Sequence, residues 1–103
     1  MPLIAAVRQV FAPDGPLVRD LPGFIPRAGQ TDMALAVART VQGGGALVVE
    51  AGTGVGKTFA YLAPALLSGA RVLVSTATKA LQDQLFLRDI PRLAASLGVP
   101  VRL

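Results

Sequence analysis

Apolar residues recur with a helical period between residues 27 and 42. Met33, Val37 and Val41 stand four positions apart, with alanines beside them. This spacing places the apolar side chains along one stripe of a helix, because residues three and four apart share a face. The sequence therefore predicts an amphipathic helix over 27–42, and the glycine run at 43–45 predicts its end.

Three short apolar runs have a different pattern, without polar alternation and rich in β-branched residues. They cover residues 46–50, 71–76 and 99–103. Runs of this length and composition are typical of strands that are buried on both faces. The sequence predicts two such strands and the start of a third.

Helical segments separate these predicted strands. One helix is predicted over 57–68, closed by Gly69, and a second begins after Thr78, whose hydroxyl suits a helix cap. Pro91 suits the first turn of one more helix, which Gly98 ends. Strands that alternate with helices in this way predict an α/β fold, with a parallel sheet, right-handed crossovers and helices on both faces.

The N-terminal part has a different composition. Four prolines and three glycines lie between residues 11 and 29, a density that interrupts regular structure. We predict a helix over 3–11 followed by an irregular arm. The chain then divides into this helix and arm at residues 1–26 and the α/β part at residues 27–103.

Composition narrows the chemistry that the chain can perform. Of its 103 residues, 52 % are apolar and 16 % are charged, which suits a folded protein with a buried core. The absence of cysteine and histidine excludes disulfides, thiol nucleophiles, Ser-His catalysis and nearly every zinc site from these residues. The net charge of +4 permits a nucleic-acid partner, although the basic residues are scattered along the chain.

The hydrophobic segments do not predict a membrane protein. The longest stretch without a charged residue runs from 58 to 70, thirteen residues, whereas a bilayer span needs about twenty. The N-terminus has no basic residue before Arg8, unlike a secretory signal. We therefore expect no membrane partner and a cytoplasmic location.

The first predicted strand leads directly into a glycine-rich loop at residues 51–58. The loop matches the phosphate-binding Walker A pattern in a relaxed form, with alanine in place of the first glycine. Its glycines allow backbone N–H groups to turn towards a phosphate at the start of the next helix. The predicted nucleotide-binding residues of the loop are Ala51, Gly52, Thr53, Gly54, Val55, Gly56, Lys57 and Thr58.

The last two residues of the loop are the candidate catalytic residues. The Lys57 ammonium is a point charge that can reach the β and γ phosphates, and the Thr58 hydroxyl is a hard oxygen ligand for Mg²⁺. The sequence therefore predicts that ATP and Mg²⁺ bind here. A dinucleotide-binding loop is excluded, because the last glycine of that pattern would fall on Lys57 or Phe59.

Residues 76–82 are open to two interpretations from the sequence alone. Thr78 as a helix cap with solvated glutamines after it is the favoured one. The other is a contact with a phosphodiester backbone, because hydroxyls, a cation and unpaired backbone N–H groups coincide where a predicted strand ends and a helix begins.

Three segments together resemble one helicase family. The segments 57–64 (KTFAYLAP), 75–85 (STATKALQDQL) and 27–30 (RAGQ) are similar to motif I, motif Ia and the R-x-x-Q segment of DinG/YoaA-type, XPD-like superfamily-2 DNA helicases. The resemblance implies a RecA-like P-loop NTPase fold in which Gln30 recognises adenine with Arg27 close by. It also implies that DNA is contacted by Thr76, Thr78, Lys79 and Gln82.

The same resemblance implies an ATP-dependent DNA helicase that unwinds single-stranded or forked DNA in the 5′ to 3′ direction, with a role in DNA repair. Relatives hold a 4Fe–4S cluster through four cysteines after motif Ia, and a second Mg²⁺-binding carboxylate on a later strand; neither is present in these 103 residues. We therefore expect the chain to be the N-terminal fragment of a longer helicase, with the cluster in the missing part, and to be inactive alone.

Two other classes stay open. Another P-loop ATPase, such as an RNA helicase or a translocase that does not unwind, shares the same loop; a D-E-A-H box and four cysteines beyond Leu103 would decide against it. A small-molecule P-loop kinase would need an acceptor site and a lid, which nothing in residues 75–85 resembles.

Overall fold

The computed structural model describes residues 3–47, 57–75 and 78–101. These residues contain six α-helices and one π-helical turn. The helices are α1 (Leu3–Val10), α2 (Pro16–Asp20), α3 (Ala28–Gly43), α4 (Lys57–Leu67), α5 (Lys79–Gln84) and α6 (Ile90–Leu97); the π-helical turn, Leu85–Asp89, joins α5 to α6.

Helix α1 confirms the predicted N-terminal helix, but the arm after it is not wholly irregular. Residues 16–20 form α2, with Pro16 in its first turn. Proline is favourable there, because its fixed φ suits a helix and its missing N–H has no helical partner to lose. The prediction of an irregular arm is therefore wrong for residues 16–20, because a proline in the first turn begins a helix and does not interrupt one.

The turn between α1 and α2 is close-packed around Gly15. Its backbone N–H donates to Ala12 O at 2.9 Å, and its carbonyl accepts from Arg19 N at 3.1 Å. A Cβ atom placed on Gly15 would lie 2.3 Å from Gln9 O and 2.8 Å from Val10 O. Only glycine fits at this position without movement of the end of α1.

Helices α3 and α4 form the most extensive packed pair, and α1 lies against both. The helix predicted over 27–42 is confirmed as α3, and the helix predicted over 57–68 as α4. Ala34 and Ala38 of α3 and Ala60 and Ala63 of α4 are completely buried. These small side chains allow the backbones of the two helices to approach each other closely.

The helices predicted after Thr78 and around Pro91 are both present, but they are continuous and not separate. The π-helical turn joins them, with Ile90 N donating to Leu85 O across five residues. Pro91 has no backbone N–H, so an undisturbed α-helix would leave a carbonyl one turn earlier without its partner. Gly98 ends α6 in the left-handed conformation, with φ 69° and ψ 29°.

The predicted parallel sheet is not confirmed, because residues 3–47, 57–75 and 78–101 contain no strand. Residues 46–47, 71–75 and 99–101 are irregular, and 48–50, 76 and 102–103 of the predicted strands lie outside the described residues. Leu73 is 95 % exposed, in contrast with the burial predicted for its run. A strand forms only with a neighbour that completes its hydrogen bonds, so the sheet stays a prediction.

The boundary predicted between residues 26 and 27 also stays a prediction.

Within the described ranges, no helix is long and apolar enough to cross a membrane.

A polar contact joins the N-terminal arm to the last helix. The Ser96 hydroxyl lies 2.8 Å from Asp20 Oδ2 and 3.2 Å from Pro16 O. Asp20 also accepts two hydrogen bonds from the Arg19 guanidinium, each at 3.0 Å. The hydrogen bond from Arg19, followed by that from Ser96, lowers the pKa of the Asp20 carboxyl below its ordinary value.

Replacement of Ser96 by alanine is expected to raise the pKa of Asp20 towards its ordinary value, because one donor to the carboxylate is lost. Since the folded-state pKa of Asp20 is lowered, its contribution to stability is present above the unfolded-state pKa. That contribution disappears as the pH falls through the folded-state value. A ¹³C NMR titration of the Asp20 carboxyl carbon measures the shift; an unchanged pKa in Ser96→Ala would contradict this assignment.

Candidate functional site

The two candidate catalytic residues begin helix α4. Lys57 is its first residue and is exposed, and Thr58 follows and is half-buried. The N–H groups of a first helical turn have no partner within the helix and carry partial positive charge, which favours a bound anion. The predicted loop residues Ala51, Gly52, Thr53, Gly54, Val55 and Gly56 lie outside the described residues.

The Thr58 side chain contacts Tyr61, one turn later in α4. Burial raises the pKa of the Tyr61 hydroxyl, the hydrogen bond with Thr58 acts in the opposite direction, and the negative charge of Asp89 raises the pKa further. Thr58 and Tyr61 of α4 line a cavity of about 120 Å³ together with residues from the helical run that begins with α5: Leu81, Gln84, Leu85 and Asp89. The start of α4 therefore faces the helical run that begins at α5.

An aromatic contact places the 27–30 segment near the same end of α4. The Phe24 and Phe59 rings meet edge to face, with centroids 6.2 Å apart, and Phe24 also contacts Phe11 at 6.5 Å. Phe59 follows Thr58 directly, and Phe24 lies three residues before Arg27. The ring contact therefore brings the start of α3 towards the start of α4.

Within that segment the two candidate adenine-site residues differ in burial. Arg27 is exposed in extended conformation just before α3, and its carbonyl accepts from Thr31 N at 3.0 Å. Gln30 lies in the first turn of α3 and is only 3 % exposed. A glutamine is seldom buried so completely, which distinguishes Gln30 from an ordinary surface residue.

The candidate DNA-contact residues lie at the start of α5. Thr78 precedes the helix, and its Oγ1 accepts from Leu81 N at 3.2 Å, so the predicted helix cap is confirmed. Lys79 and Asp83 form an exposed ion pair at 3.8 Å. Gln82 is exposed, and Thr76 lies outside the described residues.

The donor set at the start of α4 fits a magnesium nucleotide. The ammonium and the helix N–H groups can donate to phosphate oxygens, and the hydroxyl oxygen can be one ligand of Mg²⁺. No group of three or more acidic side chains that could hold a metal occurs among residues 3–47, 57–75 and 78–101. Thr58 stays the predicted magnesium ligand.

Several residues around this site were not predicted from the sequence. The contact of Tyr61 with Thr58 was predictable, because residues three apart in a helix lie on the same face. The contact between Phe24 and Phe59 was not predictable from a local pattern, since it joins segments far apart in sequence. The position of Asp89 was also not predictable from a local pattern, because it lines a cavity with residues that lie much earlier in the sequence.

The family model of the DEAD/DEAH box helicase matches residues 31–102. The chain belongs to this family. Membership confirms the helicase resemblance, and it implies a P-loop NTPase fold and the use of ATP and Mg²⁺. Arg27 and Gln30 lie just before the matched residues.

Individual relatives agree with the family match. The chain is 56 % identical over 87 residues to the ATP-dependent DNA helicase YoaA of Escherichia coli, covering 84 % of the chain and 14 % of that relative. It is 55 % identical over 79 residues to the ATP-dependent helicase DinG of Mycobacterium tuberculosis, covering 73 % of the chain and 12 % of the relative. The chain thus spans about one seventh of the curated relatives that it matches. No solved structure matches it significantly.

Proposed function

We propose that this chain is the part of an ATP-dependent DNA helicase that binds the phosphates of ATP and begins the DNA-contact surface. The observation that carries the proposal is the cavity where Thr58 of α4 faces the helical run that begins with α5. Relatives named as ATP-dependent DNA helicases support the choice of DNA as the partner.

The nucleotide part of the mechanism follows from the start of α4. Lys57 stabilises negative charge on the β and γ phosphates, and the first N–H groups of α4 hold a phosphate oxygen. The contact with Tyr61 orients the Thr58 side chain, so that the Thr58 hydroxyl oxygen can bind the metal. Mg²⁺, when bound, neutralises charge that develops during phosphoryl transfer. In this proposal, Gln30 with Arg27 recognises adenine.

The DNA part of the mechanism involves the start of α5. Thr78, Lys79 and Gln82 are exposed there, next to the N-terminal N–H groups of the helical run. Such groups bind phosphodiester oxygens without reading the base sequence. Together with Thr76 they would hold one DNA strand, and closure of the nucleotide site would move this strand.

The finer features rest on the resemblance to DinG and YoaA. We propose that the full-length protein acts on single-stranded or forked DNA, moves 5′ to 3′ and takes part in DNA repair in the cytoplasm. In the same proposal, segments 46–50, 71–76 and 99–103 form strands of the parallel RecA-like sheet, and a 4Fe–4S cluster binds outside the present chain. The predicted division at residues 26 and 27 belongs to this proposal as well.

The test is the ATPase rate of the full-length protein, with and without single-stranded DNA. We expect the DNA to increase the rate, and a matched RNA oligonucleotide to increase it less. Lys79→Gln should raise the DNA concentration that gives half-maximal stimulation and lower the salt dependence of DNA binding by about one counterion. Asp83→Asn should lower that concentration, because it releases Lys79 from its ion pair.

These two variants remove opposite charges from the same exposed ion pair, so each is a control for the other. An ATPase rate that DNA does not change would contradict the proposed motor. Equal effects of Lys79→Gln and Asp83→Asn would contradict the placement of DNA at α5 while leaving the nucleotide site in place.

A further inference from the structure

Asp89 is a buried carboxylate that the proposed mechanism has not used. It is 6 % exposed, and it is the one acidic residue among those described that is buried. Gln84 Nε2 donates to its Oδ2 at 3.2 Å, and Arg88 Nε donates to its Oδ1 at 3.4 Å. Burial of a carboxylate is costly unless the group is hydrogen-bonded and paired, so these partners hold Asp89 in one place.

The π-helical turn explains why Gln84 and Asp89 meet. Residues five apart in an α-helix are separated by about 140° around the axis, on different faces. The wider π-helical turn, with its bond from Ile90 N to Leu85 O, brings such residues closer together. Turns of this kind are frequent at functional sites. The π-helical turn thus directs the buried Asp89 carboxylate towards α4.

The residues across from Asp89 are those that begin the nucleotide site. Asp89 and Gln84 share the cavity of about 120 Å³ with Thr58 and Tyr61. A cavity of this size has room for a few water molecules. The upward effect of Asp89 on the pKa of the Tyr61 hydroxyl agrees with their proximity. The cluster therefore connects α4 to the helical run that begins with α5.

We propose that Asp89 is a positioning residue that couples DNA binding at the start of α5 to the Thr58 end of the nucleotide site. This inference rests on the proposed helicase function. Lys79 and Asp89 belong to one helical run, Lys79 near its exposed beginning and Asp89 at its buried π-helical turn. A shift of α5 on a DNA strand moves Gln84 and Asp89. This movement changes the electric field of the Asp89 carboxylate at Tyr61, whose hydroxyl is hydrogen-bonded to Thr58.

The coupling has a thermodynamic consequence that can be measured. If DNA strengthens nucleotide binding by some factor, the nucleotide must strengthen DNA binding by the same factor. We define the coupling factor as the Kd of a non-hydrolysable ATP analogue with Mg²⁺ without DNA, divided by its Kd at saturating oligo-dT. In the full-length protein, we expect a factor of about five or more for the wild type, the lower range of known couplings.

Asp89→Asn keeps the shape of the side chain and removes its charge, and Tyr61→Phe keeps the ring and removes its hydroxyl. We expect both variants to lower the coupling factor at least about threefold, towards one. Asp14→Asn makes the same chemical change at an exposed position of the N-terminal arm, and it should leave the factor at the wild-type value. A merely structural role of Asp89 would lower thermal stability without this selective loss.

The outcomes separate the two proposals. Failure of the wild type to bind the analogue or oligo-dT overturns the helicase function and the coupling together. A wild type that binds both with a factor of one, or a normal factor in both variants, overturns the coupling alone. If Asp89→Asn does not fold, Tyr61→Phe decides: a normal factor in that variant overturns the proposal, and a lowered one supports it.

Discussion

Replacement of Lys57 by alanine is expected to lower the ATP turnover of the full-length protein by at least about a hundredfold, the typical effect of removing one electrostatic stabiliser from a reaction centre. Lys57 begins α4 and brings a positive charge to the helix end that we propose as the phosphate site. Alanine keeps the helix and removes the charge. A coupled assay for phosphate release measures the rate at saturating ATP.

Two further variants test whether position or charge alone matters. Lys57→Arg should rescue little of the activity, because a planar guanidinium does not replace a compact ammonium on a flexible stem. Arg39→Ala removes an exposed cation from α3 and should leave turnover within about twofold of the wild type. Turnover retained in Lys57→Ala would contradict the assignment of the phosphate site.

Gly15→Ala is expected to destabilise the N-terminal helices by roughly 2–3 kcal/mol, the upper part of the range for overpacking. The added Cβ would lie 2.3 Å from Gln9 O and 2.8 Å from Val10 O. Both contacts are with backbone, so neither can be relieved by a change of rotamer. Hydrogen exchange of the α1 amides in the full-length protein measures the opening free energy directly.

Gly43→Ala is the matched control with the opposite sign. Gly43 is the last residue of α3, its φ is not positive, and a Cβ there would meet nothing within 4 Å. Alanine should stabilise the end of α3 by up to about 1 kcal/mol, because it loses less backbone freedom in a helix. Equal effects at the two glycines would contradict the close-packed turn at Gly15.

The helices were largely predictable because their signals are local. Periodic apolar residues over 27–42, the Thr78 cap and the end of the last helix at Gly98 each depend on neighbours within a few positions. Helix α2 was missed although its proline stands at a favourable position. The predicted strands could not be confirmed within the described residues, since strand pairing depends on partners distant in sequence.

The candidate site divides in the same way. The sequence by itself predicts the phosphate loop and the chemistry at the start of α4, because Lys57 and Thr58 directly follow a glycine-rich segment that matches a phosphate-binding pattern. It also determined the helicase family, through motifs that are contiguous segments.

Only the tertiary structure decided how these segments meet. The Phe24–Phe59 contact turns the start of α3 towards α4, and the π-helical turn directs Asp89 towards Thr58 and Tyr61. Each of these contacts joins residues that lie far apart in sequence. Their proximity is a result of packing in the core, to which no local pattern of residues corresponds.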